Sequence, residues 1–315
     1  MIYVFIGIAI VIILLISIKL FSTKSRFPKL SKENIPANLG ALPTVPADQL
    51  INHLEMSLPK SYIEDVKVRF LGENRKVSED EFEWRLFELK RYFLLANLLK
   101  KTPMYSKDVD SLWHEMIMFT QKYENFSKAY LGTMLHHYPN VQSKEAAPQE
   151  RAFFDWVYSN LFEVTAYSWK AWGDFFRAPL SPQLVHEFKT SSNQVLKEKY
   201  FNINDNNEEL IEHLIDSLKK QAIDSEKNKS NLNFEKSNTF GNLTSSSQIM
   251  VFYSVYQFES YWLHAKEYLY SRVSNSTSGC SYAVFCGTAS STSNNNDSDS
   301  SSGGDASCSG GGCSS

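Results

Sequence analysis

The run SEDEFEWRLFELKRYFLLANLLKK, residues 78–101, reads as one long amphipathic helix. Phe82, Leu86, Leu89, Phe93, Leu94, Ala96 and Leu99 give the spacing of a core face, because side chains three and four positions apart share one side of a helix. Ser78 through Glu81 has the pattern of a capping box, with the serine oxygen accepting the third amide of the first turn and Glu81 reaching back. Lys100 and Lys101 suit the negative end of the helix dipole, and Pro103 closes the run.

Outward from this helix the periodicity stays helical, and little of it alternates as a strand would. Residues 48–58 and 61–71 predict two shorter helices, with GENRKV as the turn into residue 78. Beyond residue 103, Ser106 is an N-cap and Asp108 and Asp110 fall in a first turn, where negative charge is favoured. Val109, Leu112, Met116, Phe119, Tyr123, Phe126 and Tyr130 then form one buried stripe as far as Gly132, which marks the stop. Residues 151–176 hold ten aromatic side chains with only Arg151 and Lys170 basic, a composition for core packing rather than for lying on a bilayer. Ser181-Pro182 opens a further helix through about residue 196, residues 207–221 another, and residues 247–272 a last one that should dock on the aromatic segment. The fold class expected is all-α, a multi-helix bundle-like domain.

The chain has 315 residues, 43% of them hydrophobic, enough for a sizeable core. Its 32 basic and 35 acidic residues leave a net charge of −3 without a basic stripe, which argues against nucleic acid as a partner. Ile2 to Ile18 carries no charge, and with Leu20 and Phe21 it reaches the length that spans a hydrocarbon core, so residues 1–22 read as an uncleaved transmembrane anchor in contact with lipid through residues 2–21. Lys19, Lys24, Arg26, Lys29 and Lys32 follow it, which predicts a single-pass protein with its N-terminus outside and its body in the cytoplasm. Residues 23–44, with three prolines and a fourth just beyond at Pro46, read as a stalk. Residues 45–176 read as the motif-bearing helical domain, and residues 177–273 as a helical extension with a polar loop at 222–247. Residues 274–315 form a low-complexity Ser, Gly and Asn tail. That tail holds all four cysteines, Cys280, Cys286, Cys308 and Cys313, at spacings unlike a zinc knuckle.

Chemistry concentrates in residues 109–139, VDSLWHEMIMFTQKYENFSKAYLGTMLHHYP. Asp110, Trp113, His114, His136 and His137 are the positions there that helix packing does not require. Neutral imidazoles of His114, His136 and His137 are the ligand type for a divalent metal such as zinc, with Asp110 as a further ligand or as the carboxylate that orients a ring. The opposing reading is structural: Asp110 and His114 pair on a helix surface, one turn apart, while His136 and His137 cap carbonyls or stack on Trp113 and Tyr138. No nucleophile elbow, P-loop or dinucleotide fingerprint is present, so nothing in the sequence identifies an enzyme.

Ser106, Val109-Asp110, Trp113-His114, Thr120, Tyr123, Phe126, Gly132 and His136-His137 with Pro139 resemble the pattern V-D-x-x-W-H, T-x-x-Y, G-x-x-x-H-H-x-P of bacterial relatives of the glycine-rich domain-containing proteins. The resemblance covers about a fifth of the chain and implies a compact helical domain of poorly defined activity. Members often carry cysteine where this chain has Ser127, which removes a possible thiolate ligand. The expectation is a binding or interaction module at the cytoplasmic membrane face, with a possible protein partner. The alternative is a metal-dependent enzyme or metal-binding protein built on the histidines.

Overall fold

The computed structural model describes residues 30–137, 148–173, 175–227 and 243–269. Among these residues there are twelve α-helices and no strand, so the chain is all-α. The segment expected to be a transmembrane anchor, the tail with its four cysteines, and Tyr138 and Pro139 all lie outside the described residues. Among the described residues no helix is long and apolar enough to cross a membrane. The single-pass assignment and the topology inferred from it are therefore corrected: they rested on the apolarity of one segment, and no described helix supports them.

Helix α1 (Asp48–Ser57), α2 (Lys60–Glu73), α3 (Glu79–Leu98), α4 (Lys107–Met118) and α5 (Thr120–Leu131) form the first half. Helix α6 (Pro148–Leu161), α7 (Ala166–Trp172), α8 (Pro182–Thr190), α9 (Asn193–Tyr200), α10 (Glu208–Lys227), α11 (Leu243–Tyr256) and α12 (Tyr261–Leu269) follow. At the centre is α3, buried on nearly every side. Helices α1, α2, α4 and α7 and the turns Lys32–Asn34 and Asn38–Gly40 all pack on it. Ser78 caps it as expected, accepting from the Glu81 amide at 3.1 Å. The Glu81 carboxylate does not close the box but turns to Arg85 at 2.8 Å. The helix ends three residues early because Leu99 leaves it as extended chain and pairs with Phe201.

The stripe expected to be one helix from residue 106 to 132 is two helices. Ser106 caps the first, accepting from the Val109 amide at 3.1 Å, and Gly132 ends the second in the left-handed conformation, φ 72°. Between them Phe119 takes a non-helical ψ of 60°. The break is stabilised from outside: the Tyr62 hydroxyl donates to the Met116 carbonyl at 2.7 Å, and the Tyr62 ring meets Phe119 edge-on. Val109, Leu112, Met116, Tyr123, Phe126 and Tyr130 stay buried across it, since the bend changes direction without turning the stripe from the core. The aromatic segment likewise breaks, into α6 and α7, where Phe162 pairs with Ala41.

Residues 30–47 lie against α3. Trp84 donates its indole N–H to the Ser31 carbonyl at 3.0 Å, and the Lys32 amide donates to Asp80 at 2.9 Å. Asn38, Leu39 and Gly40 are three consecutive residues with positive φ. They are held there by Arg91, whose Nε donates to the Leu39 carbonyl at 2.7 Å. Arg91 and Glu88 are fully buried and share a network from four helical segments. Glu88 accepts from Tyr158 and Trp172 at 2.7 Å and from Ser168 at 2.6 Å, while Arg91 donates to Tyr158 at 2.7 Å and packs over Phe87 and Phe162. Both Glu88 oxygens and the Nε and Nη1 of Arg91 are hydrogen-bonded, which offsets the cost of burying the charges, while Arg91 Nη2 is buried without a hydrogen bond. Further along, α11 packs on α6 and α10, and Ser254 accepts from the Leu180 amide at 2.9 Å.

Candidate metal centre

Position on α4 sets the first half of the site. Asp110 lies in its first turn, where the amide dipoles favour a carboxylate, and His114 follows one turn later. The His114 Nδ1 is 2.9 Å from the Asp110 carbonyl and 3.4 Å from its Oδ2. His137 arrives from the far side of Gly132, with its Nε2 2.7 Å from the other carboxylate oxygen, Oδ1. One carboxylate therefore stands between two imidazoles, with each oxygen facing one ring, and the ring centroids are 4.3 Å apart.

The return of the chain after Gly132 is fixed by a relay through the core. Trp113, on α4, donates its indole N–H to the Tyr123 hydroxyl at 2.9 Å, and that hydroxyl donates to the Leu135 carbonyl at 2.7 Å. Trp113 also meets the His137 ring nearly at right angles, at 4.5 Å, so it carries His137 from below while Tyr123 holds the chain two residues earlier. Behind it, Tyr92 and Phe93 of α3 pack on the indole. The site is thus tied to the central helix by stacked rings. Exposure falls from His114, at 53%, through Asp110, at 30%, to His137, at 11%, so the centre faces solvent on one side and protein on the other.

Of the five positions marked in the sequence, the structure brings together Asp110, His114 and His137, with Trp113 beneath them. One potential ligand atom from each of the three lies within 4.8 Å of the others. His136 is exposed and is not one of the three. Tyr123, assigned from periodicity to the buried stripe alone, is also the group that positions the return segment. Its hydroxyl was the available signal, because a buried tyrosine needs a polar partner. Ser127 is buried in the core.

A family model described as UCP032817-like, an uncharacterised family, matches residues 51–159. The match runs from α1 through α6 and includes Asp110, His114 and His137. No curated protein and no solved structure matches the chain. The resemblance to glycine-rich domain-containing proteins is corrected accordingly, since the family that matches is a different one. Most of the residues that carried the resemblance do general work here: Ser106 is a cap, Tyr123 and Phe126 are core, and Gly132 is a left-handed stop. Unrelated helical domains have the same needs.

Proposed function

We propose that this helical domain binds a divalent transition metal through Asp110, His114 and His137. The supporting observation is the convergence of one carboxylate and two imidazoles within 4.8 Å, from segments separated by 27 residues. Imidazole nitrogen and carboxylate oxygen are the ligand types of zinc and its neighbours. Ligand atoms around a tetrahedral ion lie about 3.3–3.4 Å apart for bonds of about 2.0–2.1 Å, so modest side-chain movement brings this trio into range. An ion there would take the place of the direct contact between His137 and Asp110. Trp113 would then hold one ligand ring in place from outside the coordination sphere.

Three protein ligands leave a fourth position for water or for a donor from a partner, which suits a binding module as well as a hydrolytic centre. The neighbouring carboxylate favours the binding module: Glu115 is engaged with Arg69 at 2.7 Å and is not placed as a general base. The test is titration of the purified chain with Zn²⁺, followed by metal analysis after desalting. One retained equivalent, lost in His114→Ala and in His137→Ala with helical content unchanged, supports the reading. Absence of retained metal in the unsubstituted chain would overturn it.

A further inference from the structure

A concavity of about 460 Å³ is lined by none of the residues of the metal centre. It opens between residues 99–103 beyond α3, the first turns of α6 and α8, and the end of α9. Its volume lies within the range of about 300–1,000 Å³ occupied by small-molecule sites. The lining is largely apolar, from Leu99, Pro103, Phe153, Phe154 and Leu184. Phe153 continues into a ring cluster with Phe188 and Tyr200, so the wall is rigid.

Charge at the rim is unequal. The carboxylates there are matched: Lys101 pairs with Glu150, and Lys199 pairs with Glu187 at 2.6 Å. Partial burial opposes ionisation of Glu187, but hydrogen bonds from Lys199 and Tyr200 outweigh it and hold the carboxyl below its usual range. Lys100 differs. Its ammonium donates to the Glu198 carbonyl, and among the described residues it has no carboxylate partner. Two helix N-termini add positive potential to the same wall. Gln149 and Glu150 lie in the first turn of α6, and Ser181 caps α8 by accepting from the Leu184 amide at 3.1 Å. The Gln183 amide lies in the first turn of α8 and so outside the helix's own ladder, and Pro182 before it has no N–H. An apolar trough with one unneutralised cation and two positive helix ends is complementary to a molecule with a hydrocarbon body and one negative head.

We infer that this cavity binds a small amphipathic anion, an acyl or aryl chain bearing a single carboxylate or phosphate, with the chain against Phe153, Phe154 and Leu184 and the head at Lys100. The assignment does not depend on the metal centre. Decanoate, decyl phosphate and decanol are the probes, titrated calorimetrically into the purified full chain. The expected result is saturable one-to-one binding of at least one anion, with decanol weaker by about tenfold or more, as loss of a charge-assisted hydrogen bond implies. The ratio of decanoate to decyl phosphate identifies the head group. Lys100→Gln, an exposed change, should remove that tenfold preference and leave decanol unaffected, and Leu184→Trp should fill the trough and abolish binding of all three. Failure of both anions to saturate, decanol binding as tightly as they do, or an anion affinity unchanged by Lys100→Gln would each overturn the inference.

Discussion

The Nε2 atom of His137 lies 2.7 Å from Oδ1 of Asp110, 27 positions earlier in the chain. That contact closes the loop formed by α4, α5 and the turn at Gly132, and it makes the carboxylate the shared element of both imidazole contacts. Asp110→Asn keeps the shape and removes the charge, so it should weaken zinc binding by at least the roughly 10–100-fold that loss of a supporting partner costs. His136→Ala should leave affinity unchanged. Competition against a chromogenic chelator measures both, and equal losses in the two variants would exclude Asp110 as a ligand.

Tyr123→Phe removes a hydroxyl that serves Trp113 and Leu135 together. A buried indole N–H and a part-buried carbonyl lose their partner, so denaturant unfolding should show a loss of about 1–3 kcal/mol. Hydrogen exchange should quicken at residues 132–137, which that hydroxyl tethers. A stability loss without faster exchange there would mean that Tyr123 supports only the core.

Glu88→Gln leaves the buried Arg91 guanidinium without its counter-charge while keeping the volume. Breaking a buried pair on one side costs about 3–5 kcal/mol, so this conservative change should be among the most damaging in the chain. Thermal unfolding followed by circular dichroism is the measurement, and a shift no larger than that of an exposed Glu→Gln change would show that the network is not holding the fold.

Gly40 and Gly132 both have positive φ, yet alanine should affect them differently. Nothing lies within 4 Å of a β-carbon built at Gly132, so Gly132→Ala should cost only the backbone strain, about 1–2 kcal/mol. At Gly40 the same β-carbon collides with Nη2 of Arg91. Gly40→Ala should therefore lose distinctly more in parallel unfolding curves, and equal losses would refute the close packing of the turn on Arg91.

Asp155 is fully buried, and burial raises its carboxyl above the ordinary value of 3.8, although Arg151 and the Phe176 amide act in the opposite direction. A raised folded value means that the native state holds the proton more tightly than the unfolded chain does. Its contribution to stability is then full below 3.8 and is lost as pH rises through the folded value. Asp155→Asn cannot ionise, so urea midpoints from pH 4 to 7 should lose that component of their slope. Parallel profiles for the two proteins would contradict the shift.

Local signals carried much of this architecture into the sequence. Caps at Ser78, Ser106 and Ser181 and the stop at Gly132 depend on residue type at one position, and all four stand where the pattern puts them. The break at Phe119 was not legible, because the group that stabilises it, Tyr62, is 54 positions from the carbonyl it serves. The burial of Glu88 and Arg91 has no signal in the helix's own periodicity, since α6, α7 and the turn at Leu39 together enclose them around α3. At the metal centre the residue types were legible and the partition was not. Whether His136 or His137 turns inward depends on the tether from Tyr123 to Leu135, a contact with no periodicity to announce it.

The left-handed turn at Asn38–Gly40 also settles where the folded body can be cut. Helical periodicity starts at Asp48, which makes that residue the natural place to begin a shortened chain. Such a trim would remove the carbonyl of Leu39 from Arg91, the carbonyl of Ser31 from Trp84, and the chain that pairs with Phe162. It would expose to water an acid–base pair that the fold keeps dry. A fragment that keeps that pair enclosed should accordingly begin before Ser31, because the eighteen residues from Leu30 to Ala47 cover the interior at that point.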